Sequence, residues 1–185
     1  MMSGEAGEGG EVIERVSFWL LPAEPQRESL QQIISDLAER FDAPRFEPHV
    51  TVFSGPKAAD DDLCSIVASV AAGFSAIELR GVGIGHSEQF TRTLFVQFEA
   101  NEELARLQAE LESRSAVRTR YELNPHLSLI YATLTPETKE SLRQEFSMLE
   151  WIRFDTLAAI ASHGKTRTGS DVERWRTVAE AALRK

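Results

Sequence analysis

Apolar residues recur along this chain in two rhythms, and the changes from one to the other outline its elements. Residues 12–21, which include VSFWLL, are rich in strand formers, and PAEP then breaks the run, so a first strand is predicted there. Across 28–41, Leu30, Ile33, Ile34, Leu37 and Phe41 fall at helical spacing and predict a helix with one buried face. Leu63, Ile66, Val67 and Val70 mark a second helix, with Asp60, Asp61 and Asp62 near its positive end. Strands are predicted over 75–84 and 93–99, joined by the turn GHSEQFTR. A helix over 102–114 follows, with Leu104, Leu107 and Leu111 as its stripe. TPETKESLRQEF begins another helix, capped by Thr135 with Pro136 in its first turn. Over 151–160, Ile152, Phe154, Thr156, Ala158 and Ile160 alternate with the other residues and predict a strand with unequal faces. WRTVAEAAL fits strand and helix equally.

Two strands in this pattern carry polar residues in a repeated arrangement. PHVTVFSG (48–55) and PHLSLIYA (125–132) each place a histidine and a hydroxyl two positions apart within an apolar run. Residues two apart in a strand point the same way. His49 and Thr51 therefore share one face against Val50 and Val52, and His126 and Ser128 share one against Leu127 and Leu129. In each half the strand lies between two helices, an echo that fits two related α/β lobes meeting at a central cleft. Such a cleft holds two imidazoles and two hydroxyls. A neutral imidazole can take a proton from water while a protonated one gives a proton to a leaving oxygen. Hydroxyls beside them can hydrogen-bond the oxygens of a phosphoryl group.

Composition narrows the alternatives. The 185 residues are 42% hydrophobic, enough for one domain of two lobes and too few for two ordinary catalytic domains. A net charge of −9 argues against DNA or a broad grip on long RNA, yet permits a small phosphorylated ligand in a locally basic cleft. Arg92, Arg118, Arg120, Lys165 and Arg167 are candidates to supply that basic charge, and Phe90, in the loop 85–92, is a candidate to stack on a base. The single cysteine, Cys64, lies among apolar residues and is read as a packing residue. A zinc site would need His86 and His163 to join the two strand histidines. No G-x-S-x-G elbow accompanies either hydroxyl, and neither a G-x-G-x-x-G element nor a Walker loop is present, so no cofactor and no metal are expected. Residues 1–11 read as a flexible tail before a domain spanning 12–185. No apolar run suits a membrane span and the start lacks the features of a secretion signal, so a cytoplasmic monomer is expected.

HVTV at 49–52 and HLSL at 126–129 resemble the paired H-x-T/S-x motifs of the 2H phosphoesterase superfamily. FEPHVTVFSG and NPHLSLIYA are similar to its cyclic phosphodiesterase branch, over about residues 12–182. The resemblance implies an α+β, bilobal fold of two pseudo-symmetric lobes, with antiparallel sheets flanked by helices and a water-filled central cleft. It implies metal-independent opening of ADP-ribose 1″,2″-cyclic phosphate, nucleoside 2′,3′-cyclic phosphates, or both, to the 1″- or 2′-phosphomonoester. His49 and His126 would be catalytic, with His126 as base toward water and His49 as acid. Thr51, Ser128 and Tyr131, at the end of H-x-S-x-x-Y, would contact substrate. The other readings are a phosphodiesterase acting on short RNA ends, at 2′,3′-cyclic or 2′-5′ linkages, and a nucleotide-binding module without catalysis.

Overall fold

In the computed structural model, which describes residues 14–116, 119–146 and 150–185, the two rhythms resolve into seven strands and five helices. The tail expected at 1–11 and the candidate Arg118 lie outside the described residues. The strands are β1 (Glu14–Pro22), β2 (Val50–Pro56), β3 (Ile77–His86), β4 (Leu94–Phe98), β5 (His126–Ile130), β6 (Trp151–His163) and β7 (Arg176–Ala182). The helices are α1 (Gln26–Phe41), α2 (Leu63–Ala71), α3 (Glu102–Arg114), α4 (Pro136–Glu145) and the short α5 (Gly169–Glu173).

Local chemistry sets the helix ends. The side chains of Asp62, Asn101 and Thr135 accept hydrogen bonds from the amides of Ser65, Leu104 and Thr138 at the starts of α2, α3 and α4. Pro136 takes a first-turn position of α4, where its missing N–H costs nothing. Each amphipathic stripe is buried as its spacing predicts: Leu30, Ile34 and Leu37 in α1, Leu104, Leu107 and Leu111 in α3.

All strand pairings are antiparallel, and they form a circuit. β1 lies between β2 and β6, β2 meets β5, and β5, β4 and β3 follow in order until β3 returns to β6. β6 is shared: its first residues, 151–154, pair with β3, and residues 154–163 pair with β1. The two lobes are thus halves of one hydrogen-bonded network. They join again where Val50 of β2 pairs with Leu127 of β5, so the two histidine strands are direct neighbours. One apolar core runs through both halves, from Val16 and Phe18 to Leu127, Phe154 and Leu183.

The even alternation read in β6 does not hold. Ile152 and Phe154 enter the main core, but so do Leu157 and Ala159, while Ala158 and Ile160 pack with Trp19 and Leu21 on the other side. A register shift at Leu21/Pro22, opposite residues 154–156, inserts an extra residue and reverses the facing. Cys64 also departs from expectation: it is exposed on α2, because Ile66, Val67 and Val70 take the buried face.

Candidate active site

β2 and β5 bring their polar faces into one cleft of about 490 Å³, lined by His49, Thr51, His126, Ser128 and Tyr131. The apolar faces anchor them: Val50, Val52 and Leu127 are fully buried and Leu129 nearly so. Each histidine follows a proline, and each ring turns back onto the backbone two residues earlier. His49 Nδ1 donates to the Glu47 carbonyl at 2.6 Å, and His126 Nδ1 donates to the Asn124 carbonyl at 2.7 Å. A carbonyl oxygen only accepts, so Nδ1 must carry the proton in both rings. When neutral, each therefore has its lone pair on Nε2. Arg27 forms an ion pair with Glu47, the residue that holds His49.

His49 is 6% exposed and lies face to face on Trp19, ring centroids 3.5 Å apart and planes within 7°. Burial lowers its pKa to about 3; the Glu47 hydrogen bond opposes that shift, and the nearby His126 adds to it. The Tyr131 hydroxyl approaches His49 Nε2 at 3.5 Å. His126 is half-buried, edge-on to Phe95 at 5.5 Å. Its pKa is lowered chiefly by burial, opposed by the Asn124 hydrogen bond and assisted by the Arg92 cation. Gly85 on β3 makes room for that Phe95 ring, since a Cβ there would lie 2.6 Å from it. Without a ligand, both imidazoles are neutral at pH 7.

The two hydroxyls differ. That of Thr51 has no hydrogen-bond partner among the described residues. That of Ser128 donates to the Thr91 carbonyl at 2.9 Å and must turn to meet an anion. Tyr131 is 3% exposed, stacked on Phe46 at 3.8 Å, and only its hydroxyl end serves the cleft; burial raises its pKa. Phe90 does not line this cleft. It sits on a single 3₁₀ turn, half-buried and tilted against Tyr131 at 6.1 Å, and lines a neighbouring pocket instead. His86 stands 3.6 Å from Glu140 and His163 ends β6, so neither histidine joins the pair. Arg92 and Lys165 line the cleft, whereas Arg120 and Arg167 do not.

The periodicity does not single out Trp19, Trp175, Tyr121 or Arg15, all of which line the cleft. Trp175 meets Trp19 edge-on at 5.2 Å, and Tyr121 donates to the Thr51 carbonyl at 3.3 Å. Trp19 pairs with Thr51 across β1 and β2, a signal that appears only once the register is known.

Burial of a neutral His49 links stability to pH. Its folded pKa lies below the ordinary 6.5, so the unfolded chain binds the proton first and stability falls as pH drops below that value. Between pH 7 and 5 the loss from this residue should be about 2 kcal/mol, at about 1.4 kcal/mol per pKa unit. Urea denaturation of the parent and of His49→Gln at both pH values checks this. The variant should lose less stability on acidification, and equal losses in the two proteins would contradict the assignment.

The sequence model of the cyclic phosphodiesterase-like protein family matches residues 15–183. A cyclic phosphodiesterase of Arabidopsis thaliana is 26% identical over 173 residues, covering 90% of this chain and 94% of that protein. Among solved structures, E. coli LigT complexed with 3′-AMP superimposes with a TM-score of 0.55 at 15% identity, covering 94% of this chain and 99% of that one. The Thermus thermophilus protein TT0787 does so with a TM-score of 0.57 at 17% identity, covering 92% and 98%. These structures share the α+β fold.

Proposed function

The chain belongs to the cyclic phosphodiesterase-like family, and from that premise we propose that it opens ADP-ribose 1″,2″-cyclic phosphate, nucleoside 2′,3′-cyclic phosphates, or both, without a metal. As a family member it is a phosphodiesterase. The observation that carries the finer reading is the matched presentation of His49 and His126, each fixed through Nδ1 and lining one cleft with a hydroxyl from its own strand.

For a nucleoside 2′,3′-cyclic phosphate, water attacks phosphorus while His126 Nε2 takes its proton. The P–O3′ bond breaks, and the departing O3′ takes a proton from His49. The product is the 2′-phosphomonoester, and the proton on His126 is then free to return to solvent. Thr51 and the reoriented Ser128 hydroxyl bind the non-bridging oxygens, where charge accumulates.

His49 needs a proton that its burial withholds at pH 7. Raising it from about 3 to its ordinary 6.5 requires about 5 kcal/mol. A phosphate monoanion about 4 Å away supplies ~4 kcal/mol at an effective dielectric of about 20. That is most of the requirement, so His49 charges as the substrate arrives. Titration with a nucleoside 2′-phosphate near pH 7, in buffers of different ionisation enthalpy, should show proton uptake. Binding without uptake would remove His49 from the acid role.

The activity itself is tested with pure protein in excess chelator, supplied with 2′,3′-cyclic nucleotides and with ADP-ribose cyclic phosphate. Release of 2′- or 1″-monoesters is expected. Folded protein that forms neither, or that yields a 3′-phosphate, would overturn the reading.

A further inference from the structure

The cleft extends well past the two histidines. On β1, Trp19, Ser17 and Arg15 face it in turn, alternating with the fully buried Phe18 and Val16. Across the strands Ser17 pairs with Ser54 of β2, and Arg15 pairs with Ser162 of β6. Lys165, in the loop after β6, lines the same space. A floor that begins at Trp19 beside His49 therefore continues along β1 to hydroxyls and Arg15, in a cleft whose other charged lining residues are Lys165, Arg92 and Glu122. By strand rise, Ser17 lies ~7 Å and Arg15 ~14 Å from Trp19.

A solvated sheet face is ordinarily polar, so hydroxyls alone would mean little. The cations carry more. In a chain of net charge −9, Arg27, Arg40, Lys57 and Arg80 each hold a carboxylate. Arg15 and Lys165 have no carboxylate partner among the described residues, although Arg15 is half-buried. The Ser17 and Ser54 hydroxyls lie 2.8 Å apart; one donates to the other, and the second proton is available to a ligand. The donor hydroxyls lie about one sugar's length along β1 from Trp19 and the unneutralised positive charge lies beyond them, an arrangement that suits a phosphate oxygen.

We infer that this end of the cleft is a second phosphate subsite, held by Arg15, Lys165 and the Ser17–Ser54 pair. It selects cyclic phosphodiesters whose sugar bears a further phosphoryl group on its 5′ oxygen. The inference rests on the proposed function and names the substrate class within it. The 5′ phosphoryl group belongs to a pyrophosphate in ADP-ribose cyclic phosphate and to the preceding nucleotide at an RNA end, and Arg15 meets the same oxygens in both.

The test compares adenosine 2′,3′-cyclic phosphate with the same compound phosphorylated at O5′. The 5′-phosphorylated form should be preferred at least about tenfold in kcat/KM at low salt, with the preference shrinking as salt rises. In Arg15→Gln and in Lys165→Gln the ratio of the two kcat/KM values should fall by about tenfold. Lys165 is exposed on a loop, so its variant reports on the subsite even if Arg15→Gln folds poorly. Binding of adenosine 2′,5′-bisphosphate against adenosine 2′-phosphate gives the same ratio without turnover. A ratio near one in the parent, or a ratio that neither variant moves, overturns the subsite while hydrolysis of the 5′-hydroxyl substrate leaves the phosphodiesterase reading standing. Failure to hydrolyse either compound defeats that reading first. Parallel assays with ADP-ribose cyclic phosphate and with a dinucleotide ending in a cyclic phosphate identify the source. A preference lost in Lys165→Gln for either one supports the subsite, and a loss for neither counts against it.

Discussion

Replacing His126 by alanine should lower turnover of a cyclic phosphodiester by at least about a hundredfold, and replacing His49 should do the same, because each removes one proton transfer from the bond-breaking step. The two losses should not multiply. Once either proton transfer is gone, the other histidine acts on a step that no longer follows the concerted path, so the double variant should fall little below the worse single one. His126 is the cleaner probe. It is half-buried at the cleft and its one ring contact among the described residues is with Phe95, so the variant should keep the parent's unfolding midpoint to within a few degrees. His49 is enclosed by Trp19, Phe46 and Trp175, and its truncation leaves a cavity as well as a missing acid. Its effect must therefore be read at a temperature where circular dichroism shows the variant folded. Full activity in either folded single variant would refute the role assigned to that imidazole.

How much of this site could be read before the fold depended on how local each signal was. His49 with Thr51 and His126 with Ser128 are pairs two residues apart inside strands, and period-two alternation alone puts each pair on one face. The second proline-histidine strand then points to a cleft. Trp19 belongs to the same site only because β1 pairs with β2 at Trp19 and Thr51, and no local period encodes a register between strands that far apart in sequence. Trp175 enters through α5, a five-residue helix whose capping box, Thr168 with Asp171, is too short to show a helical period. β7 is equivocal for a different reason. Its core-facing positions are the alanines Ala179 and Ala181, which favour helix by propensity, and pairing with β6 overrides that preference. Phe90 lies outside the cleft because an aromatic in a loop is as readily taken up by packing, here against Tyr131, as by a ligand. The face reversal in β6 comes from a bulge, which a strict alternation cannot represent.

Trp19→Ala should cost about 3–5 kcal/mol of stability, the range for deleting a large buried aromatic, since Trp19 is only 5% exposed and packs with Leu21, Ala158 and Ile160. That loss would follow from core burial alone. The catalytic part of the claim needs variants that separate packing from electrostatics. Trp19→Phe keeps an aromatic face beneath His49; Trp19→Leu keeps apolar burial and removes that face. If the stacked ring helps hold the proton on His49 in the substrate complex, its removal lowers the pKa of the acid while the desolvation persists. The high-pH limb of kcat reports loss of that proton, so in Trp19→Leu it should move to lower pH by roughly one unit, whereas in Trp19→Phe it should stay near the parent's. Alanine should behave differently again, because water entering the vacated space relieves the desolvation and pushes the limb back upward. Denaturant melts for the stability term and kcat–pH profiles for all three variants decide it. Identical limbs in the leucine and phenylalanine variants would leave Trp19 as packing and nothing more.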